Sequence, residues 1–452
     1  GLIRFKDPQK VHGVVGAGIP IADEFVQIRL GGDMALFAGV GRLLLEAQDK
    51  AGPRVQIVDR DFVSSHTAGF EDWERQTRAV DLDTVLAATG ITREQLDRVA
   101  EMMAASQRTI VCWAMGLTQQ KHAVPSISEI TNVLLMRGMI GKPGAGLCPV
   151  RGHSNGQGDR TMGIWEKMPE RFLAALDDRF GIVSPREHGY DTVDAIRAMR
   201  DGKAKVFMAM GGNFASATPD TAVTEAALRN CSLTVQVSTK LNRSHLVHGT
   251  TALILPSLGR TDRDIQAGGK QQVSVEDSMS MVHLSRGSLH PPSDDVRSEV
   301  AIVCQLAQAV FGPDHPVPWA TFNADYDSIR DAIAAVFQLP HPPRDSREFR
   351  TATGKANFGV YPLEWVPVPE GRLVLQTLRS HDQYNTTIYG LDDRYRGVKG
   401  GRRVIFVNPA DLAALGLSDG DRVDLISEFS GADGQLQERR AKDFAVVSYS
   451  TP

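Results

Sequence analysis

The stretch RTIVCWAMGLTQQ, residues 108–120, decides the fold class. It opens with a continuous apolar run that ends in a glycine, a pattern typical of a fully buried parallel strand. Helical patterns lie on both sides, at residues 91–106, where Thr92 is placed to cap the first turn, and at residues 124–138. Helix, strand and helix in this order predict an α/β fold.

The same alternation continues on either side of this stretch. Residues 33–49 predict a helix that Asp33 caps. Further along, KVFMAMGG (205–212), TAVTEAALRN (221–230), LTVQVS (233–238) and TALILPS (251–257) predict a strand, a helix and two more strands. We therefore expect two doubly wound, Rossmann-like α/β domains, which bind ligands at the carboxyl ends of their strands.

The last part of the chain has a different pattern. RLVLQTLR (372–379) and RVIFVN (403–408) predict strands, and PADLAALG predicts a short helix that Asn408 caps and Gly416 ends. We expect a small β-rich domain here. The predicted domains are residues 1–153, 154–257, 258–364 and 365–452. The third is irregular, with a helix near 296–311 that the aspartates of HPPSDD (290–295) cap.

Composition and charge exclude several classes of protein. A net charge of −4 and a pI near 6.3 argue against a nucleic-acid-binding protein. No apolar run approaches the roughly 18 to 20 residues of a membrane span, and no signal peptide is visible, so we expect a cytoplasmic protein. Walker A, HExxH and GxSxG motifs are absent. The chain starts without methionine and stops just after a strand-like run, so we expect it to be part of a longer polypeptide.

The cysteines give no local metal-binding spacing. Cys112, Cys148, Cys231 and Cys304 lie far apart, and no CxxC occurs. We expect small buried side chains at these positions. Cys148 is the exception to watch, because it lies in a glycine-rich loop.

Three strand-end loops carry residues suited to a phosphate-rich nucleotide. Glycines let backbone N–H groups approach such a ligand, and amides and cations orient it. The candidates are Met115, Gly116 and Gln119 in the first loop, Gly211, Gly212 and Asn213 in the second, and Gln236 and Lys240 in the third. Each loop alone is more simply a plain turn, but their equivalent places in two α/β units favour two nucleotide-like sites.

The glycine-rich loop GKPGAGLCPVRGHSNGQGDRTMG, residues 141–163, carries two groups that can hold or move a charge. These are Arg151 and His153, and seven glycines surround them. Because glycine loses much conformational entropy on ordering, we expect neither a helix nor a strand in this loop.

WAMGLTQ followed by GKPGAGLCPVRGHSNGQG resembles the molybdopterin oxidoreductases of the dimethyl sulfoxide reductase class, in particular formate dehydrogenase catalytic subunits and their relatives. The resemblance runs over essentially the whole chain. It implies two molybdopterin guanine dinucleotides around one molybdenum, held across two α/β domains, and a C-terminal double-psi β-barrel that is incomplete here. It also implies a formate-like substrate, an electron-transfer partner protein, and a preceding N-terminal part with a metal-ligating residue and, in some members, a 4Fe–4S cluster.

The resemblance assigns roles to individual residues. It places Arg151 beside the metal, where its planar guanidinium would pair with a carboxylate substrate, and gives His153 as a candidate proton acceptor. For the cofactor it implies Asp7, Met115, Gln119, Asn213, Arg263, Glu299, Arg379 and Asn385. Val237 departs from the pattern, since many relatives carry aspartate there.

Other interpretations of the same residues remain open. Arg151 is alternatively a loop-pinning ion pair, and His153 a packed or supporting side chain. The whole chain is alternatively a catalytically silent module that binds a cofactor or a partner. A nicotinamide-dependent dehydrogenase is disfavoured, because no GxGxxG follows a strand.

Overall fold

The chain forms two compact units of mixed α/β structure. The structure is a computed structural model that describes residues 4–7, 9–11, 15–52, 55–337, 346–380, 383–384, 388–393, 395–431 and 433–451. The first unit comprises Gly1–Val150, Pro343–Leu378 and Arg394–Pro452, and the second comprises Arg151–Pro342 and Arg379–Asp393. The predicted α/β class is confirmed, whereas the four domain ranges expected from the sequence stay predictions.

Helices form most of the first unit and pack around one long helix. This helix, Asp33–Ala51, contacts Leu82–Thr89, Arg93–Ala105 and Ala123–Met136, and its buried residues include Val40, Leu44 and Leu45. Large aromatic side chains extend this core, because fully buried Trp73 contacts both Phe70 and Phe358. The other helices that the structure describes in this unit are Arg60–His66, Phe70–Arg78, Met115–Thr118 and Pro409–Leu415.

Two of the predicted helix caps are confirmed. The Thr92 hydroxyl accepts from the Gln95 N–H at 3.2 Å, and the Gln95 side chain accepts from the Thr92 N–H at 3.0 Å, which forms a capping box. Asn408 accepts from the Ala410 N–H at 2.8 Å, and Gly416 ends that helix in the left-handed conformation.

The predicted cap at Asp33 is wrong. Gly32 occupies the N-cap position, and Asp33 lies in the first turn, where its negative charge interacts favourably with the helix dipole. The aspartates of HPPSDD are likewise not the cap of Glu299–Phe311. The Ser298 hydroxyl caps that helix by accepting from the Ala301 N–H at 3.1 Å, because a cap must directly precede the first turn.

The strand predicted from the opening stretch is present at Ile110–Trp113 and pairs in parallel with Gly146–Pro149. Its predicted full burial is wrong, since its residues alternate between exposed and half-buried in a sheet of only two described strands. Cys112 lies directly opposite Cys148 in this pair and is exposed, contrary to expectation. Cys231 and Cys304 are buried as predicted.

The glycine-rich loop contains regular structure, which corrects the expectation that its glycines exclude it. Its first half includes the strand Gly146–Pro149, and its second half includes the helix Gly156–Thr161. Pairing with a neighbouring strand stabilises the first of these segments, so tertiary context overrides intrinsic propensity.

A three-stranded sheet lies near the C-terminus of the first unit. Leu436–Ser448 is central, with Val404–Val407 parallel on one side and Arg422–Ser430 antiparallel on the other. The strand predicted for RLVLQTLR is wrong, because residues 372–379 form no ladder with any described strand. The remaining strands of this unit are Arg4–Phe5, Ile19–Pro20, Thr67–Ala68 and Ala356–Asn357.

The second unit contains the parallel sheet predicted from the middle of the sequence. Its strands Val206–Met210, Leu233–Ser238 and Thr251–Pro256 follow one another in space as in the sequence. Helices Phe214–Ala217 and Thr221–Arg229 join the first two strands, and the 3₁₀ turn Arg243–Leu246 lies between the last two.

The other described helices of this unit are Gly156–Thr161, Glu170–Phe180, Thr192–Arg200, Glu299–Phe311, Trp319–Ala324 and Asp327–Phe337. Its other strands are Ile265–Gln266, Gly269–Lys270, Val273–Glu276, Val282–Ser285, Gln383–Tyr384 and Ile388–Tyr389. Val273–Glu276 and Val282–Ser285 form an antiparallel hairpin.

Candidate functional site

Two adjacent glycines follow the first strand of the parallel sheet. Gly211 and Gly212 have φ angles of 69° and 74°, a left-handed conformation that side chains other than glycine rarely adopt. A Cβ on either glycine would meet no atom within 4 Å. The Gly212 carbonyl accepts from the Asn242 side chain at 2.7 Å, which fixes the turn. The result is an ordered backbone segment with open space above it.

Asn213 is held in place directly after these glycines. The Ser244 hydroxyl donates to the Asn213 side-chain oxygen at 3.1 Å and accepts from the Ala215 N–H at 3.0 Å. Asn213 is therefore an oriented, half-buried amide at the carboxyl end of a strand. This is the place where open α/β sheets bind their ligands.

Gln236 and Arg263 each bury a nitrogen without a partner. Gln236 lies in the central strand and is 5% exposed, and its amide nitrogen finds no hydrogen-bond acceptor among the described residues. The Nε of Arg263 is also buried and has no hydrogen-bond acceptor among the described residues. Because an unsatisfied buried donor costs about 1–3 kcal/mol, both groups are suited to bonding a ligand. Lys240, two residues beyond the same strand, is exposed.

The candidates in the first unit lie at two strand ends. Met115 and Gly116 start the short helix after Ile110–Trp113, and Gln119 ends it; all three are exposed. A Cβ on Gly116 would meet no atom within 4 Å. Asp7 accepts from the Gln9 N–H at 3.0 Å and pairs with Lys10 at 3.4 Å in the turn after Arg4–Phe5.

Three further predicted cofactor residues are less defined. Glu299 is exposed in the first turn of its helix. Arg379 is exposed and belongs to the second unit. Asn385 lies outside the described residues. Val237 is buried and apolar in its strand, so it offers no carboxylate at the position where many relatives are expected to carry one.

The second unit holds a polar cavity of about 550 Å³ that Arg151 and His153 line. The Arg151 guanidinium donates to the Gln157 side chain at 2.7 Å, and the Arg151 N–H donates to the Ser278 hydroxyl at 3.1 Å. Neither contact is an ion pair, and no described carboxylate lies within ion-pair distance of Arg151. The guanidinium is thus positioned by a neutral group and keeps its charge uncompensated.

Three other ionisable residues line this cavity, and the sequence did not predict them. Arg260 donates to the Ser154 hydroxyl at 3.0 Å. Asp277 accepts from the His283 ring at 2.8 Å, and this hydrogen bond is the main reason that the pKa of Asp277 is lowered from its ordinary value. The RTDRD motif suggested Arg263 as a ligand-binding cation, whereas its first arginine, Arg260, is the one in the cavity.

None of the helices in the described part of the chain is long and apolar enough to cross a membrane. Within the same residues, no group of three or more histidine, cysteine or acidic side chains is arranged to hold a metal ion.

The chain is similar to known proteins over its whole length. The family model described as "Molybdopterin oxidoreductase" matches residues 8–260, and the one described as "Molydopterin dinucleotide binding domain" matches residues 373–438. An uncharacterized oxidoreductase of Mycobacterium tuberculosis is 76% identical over 468 residues, which cover all of this chain and 60% of that protein. This chain therefore spans about 60% of the length of that relative.

Two more distant similarities bear on function and fold. Formate dehydrogenase H of Escherichia coli is 30% identical over 157 residues, which cover 35% of this chain and 20% of that protein. The solved structure of acetylene hydratase from Pelobacter acetylenicus matches with a TM-score of 0.56 and 17% sequence identity, over 95% of this chain and 63% of that one. The latter similarity concerns the fold alone.

Proposed function

Because the chain belongs to the molybdopterin oxidoreductase family, we propose that it is the cofactor-holding part of a molybdenum-dependent, formate dehydrogenase-like oxidoreductase. The complete protein would oxidise formate or a related small substrate by two-electron transfer and pass the electrons to a partner protein. The proposal includes two guanine dinucleotides, a 4Fe–4S cluster in the rest of the protein, and a cytoplasmic location. It also includes two doubly wound domains and a double-psi β-barrel.

The residues present fit the dinucleotide part of such a cofactor. The buried nitrogens of Gln236 and Arg263 have no hydrogen-bond partner among the described residues, and the backbone at Gly211 and Gly212 is open above the sheet. The residues that we propose to hold the cofactor are Asp7, Met115, Gly116, Gln119, Gly212, Asn213, Gln236, Lys240, Arg263, Glu299, Arg379 and Asn385. When bound, the molybdenum–pterin group supplies the two-electron chemistry, and the protein supplies orientation and electrostatics.

Arg151 carries the substrate part of this proposal. Its guanidinium lines a cavity and has no carboxylate partner among the described residues, so its planar fork can pair with a small carboxylate substrate. His153 lines the same cavity, and one of its ring nitrogens would take up the proton released on oxidation.

The test replaces Arg151 by alanine in the full-length protein. We expect turnover with formate, or with the substrate once it is identified, to fall by about 100-fold or more, because the positioning of the substrate is lost. Molybdenum and guanine-nucleotide content should stay at the wild-type level. Arg160→Gln, which removes a positive charge outside this cavity, is the matched control. Near-normal turnover in Arg151→Ala would remove the substrate-holding role.

Turnover of the wild-type protein, measured together with its molybdenum and guanine-nucleotide content, separates the proposed enzyme from the catalytically silent alternative. A silent binding module would retain molybdenum and guanine nucleotide, or a partner, without turnover in the wild-type protein. Absence of both metal and nucleotide would contradict the cofactor proposal itself.

A further inference from the structure

Arg260 brings a second guanidinium into the cavity of Arg151. The two residues are far apart in the sequence, and each is fixed by a neutral partner, the Gln157 amide for Arg151 and the Ser154 hydroxyl for Arg260. Among the residues that the structure describes, neither arginine forms an ion pair. The cavity therefore contains two positive charges that are positioned but not neutralised.

Asp277, the acidic residue among the described residues that line the cavity, forms no ion pair with either arginine. One carboxylate oxygen of Asp277 accepts from the His283 ring at 2.8 Å, and the other accepts from the N–H groups of Met279 and Met281 at 2.8 and 3.0 Å. Asp277 is thus committed to its own hairpin. The remaining polar groups of the lining are Ser154, Ser278 and Ser285 and the imidazole of His153. All of these can donate hydrogen bonds to an anion.

The cavity is also large for a one-carbon substrate. Its volume is about 550 Å³, which falls in the range of pockets for larger small molecules. A formate ion has one carboxylate edge and one charge, so it can satisfy only one guanidinium bidentately.

We propose that this cavity is a two-arginine site for a dianion, an oxyanion that presents one oxygen edge to Arg151 and a second to Arg260. This inference rests on the proposed role of Arg151 as the anchor of the substrate anion and makes Arg260 the residue that sets the preference for two charges. A dicarboxylate substrate or a phosphate of the bound cofactor would supply the same chemistry.

The test measures anion binding to the full-length protein by calorimetry at constant ionic strength, because exposed charges are screened by salt. At a pH above the second pKa of inorganic phosphate, the probes are oxalate and phosphate as dianions and formate as the monoanion. We expect the dianions to bind at least about tenfold more tightly than formate, because a charge-assisted hydrogen bond contributes that much. Arg260→Gln should remove this preference and change formate binding less than about twofold.

Two further variants test whether the preference for dianions depends on Arg260 itself or only on the loss of a positive charge. Arg260→Lys keeps the charge and should keep a measurable part of the preference, although it lacks the planar fork. Arg171→Gln is the matched control, because Arg171 lines a separate, largely apolar cavity of the same unit. It removes one charge from the unit and should leave the preference unchanged.

The source of the dianion is decided by comparing cofactor-loaded and cofactor-stripped protein. Binding of the probes to both forms indicates a substrate, and binding to the stripped form alone indicates a phosphate of the cofactor; both outcomes support a dianion site. Equal affinity for oxalate, phosphate and formate in wild-type protein, or an unchanged preference in Arg260→Gln, overturns it. If Arg151→Ala nevertheless abolishes turnover, the proposed function stands and only this inference fails.

Discussion

Glu129 is a buried carboxyl group whose protonation should make the stability of the first unit depend on pH. It is 5% exposed in the helix Ala123–Met136 and accepts from the indole N–H of Trp73 at 3.1 Å and from the Asn132 amide at 3.2 Å. No cation compensates its charge among these contacts. Burial therefore dominates over the two hydrogen bonds and raises the pKa of Glu129 from 4.5 to about 7.

The sign and size of the effect follow from this shift. Between pH about 4.5 and about 7 the folded protein keeps the proton of Glu129 and the unfolded chain releases it, so the free energy of unfolding falls as the pH rises through this window. At about 1.4 kcal/mol for each pH unit, the whole fall is about 3 kcal/mol. The amide introduced by Glu129→Gln has no proton to release. The pH-dependent fall in the free energy of unfolding should therefore be absent in this variant.

The assay is urea denaturation between pH about 5 and 8, followed by tryptophan fluorescence, because fully buried Trp73 becomes exposed on unfolding. Over that range the free energy of unfolding of Glu129→Gln should rise by about 2.5 kcal/mol relative to that of wild type, because the assay starts slightly above the lower limit of the window. Glu101→Gln changes an exposed glutamate of the same unit, and its free energy of unfolding should depend on pH as that of wild type does. If the free energies of unfolding of Glu129→Gln and wild type differ by the same amount at every pH, within about 0.5 kcal/mol, the reasoning is refuted.

Two further predictions concern stability. Gly249→Ala should destabilise the protein by about 2 kcal/mol or more, because its Cβ would overlap the backbone carbonyl of Cys231; Gly401→Ala, where a Cβ meets no atom within 4 Å, is the control in the same urea denaturation assay. Thr92→Ala should cost about 1 kcal/mol by removing the bond to the Gln95 N–H, and Thr92→Ser should restore it. Equal midpoints for the alanine variants and their controls would contradict these explanations.

The sequence predicted those parts of the fold that depend on local signals. The three parallel strands of the second unit, the capping box at Thr92 and the helix between Asn408 and Gly416 each follow from a few adjacent residues. RLVLQTLR shows the limit of such signals. Its apolar residues predict a strand, but a strand also needs a partner, and no described strand pairs with it.

The candidate site was predictable only in part for the same reason. The resemblance pointed to Arg151 and His153, and both line the cavity. Arg260 and His283 join them only through tertiary structure, and no spacing in the sequence relates them to the glycine-rich loop. An arginine with a neutral partner and an arginine in a surface ion pair are indistinguishable in the sequence, although only the former is ready to bind an anion.

One glycine of the Arg151 loop, Gly158, permits close packing rather than flexibility. A Cβ on Gly158 would overlap the side-chain oxygen of Asn155, and that oxygen accepts from the Glu276 N–H at 3.0 Å. The backbone N–H of Arg151 donates to Ser278, two residues further along the same hairpin. Two hydrogen bonds thus fasten the loop to one segment, and the glycine permits the close packing that the Asn155 bond requires. Because a group that orients a substrate must itself be held still, a fastened loop suits Arg151 better than a mobile one.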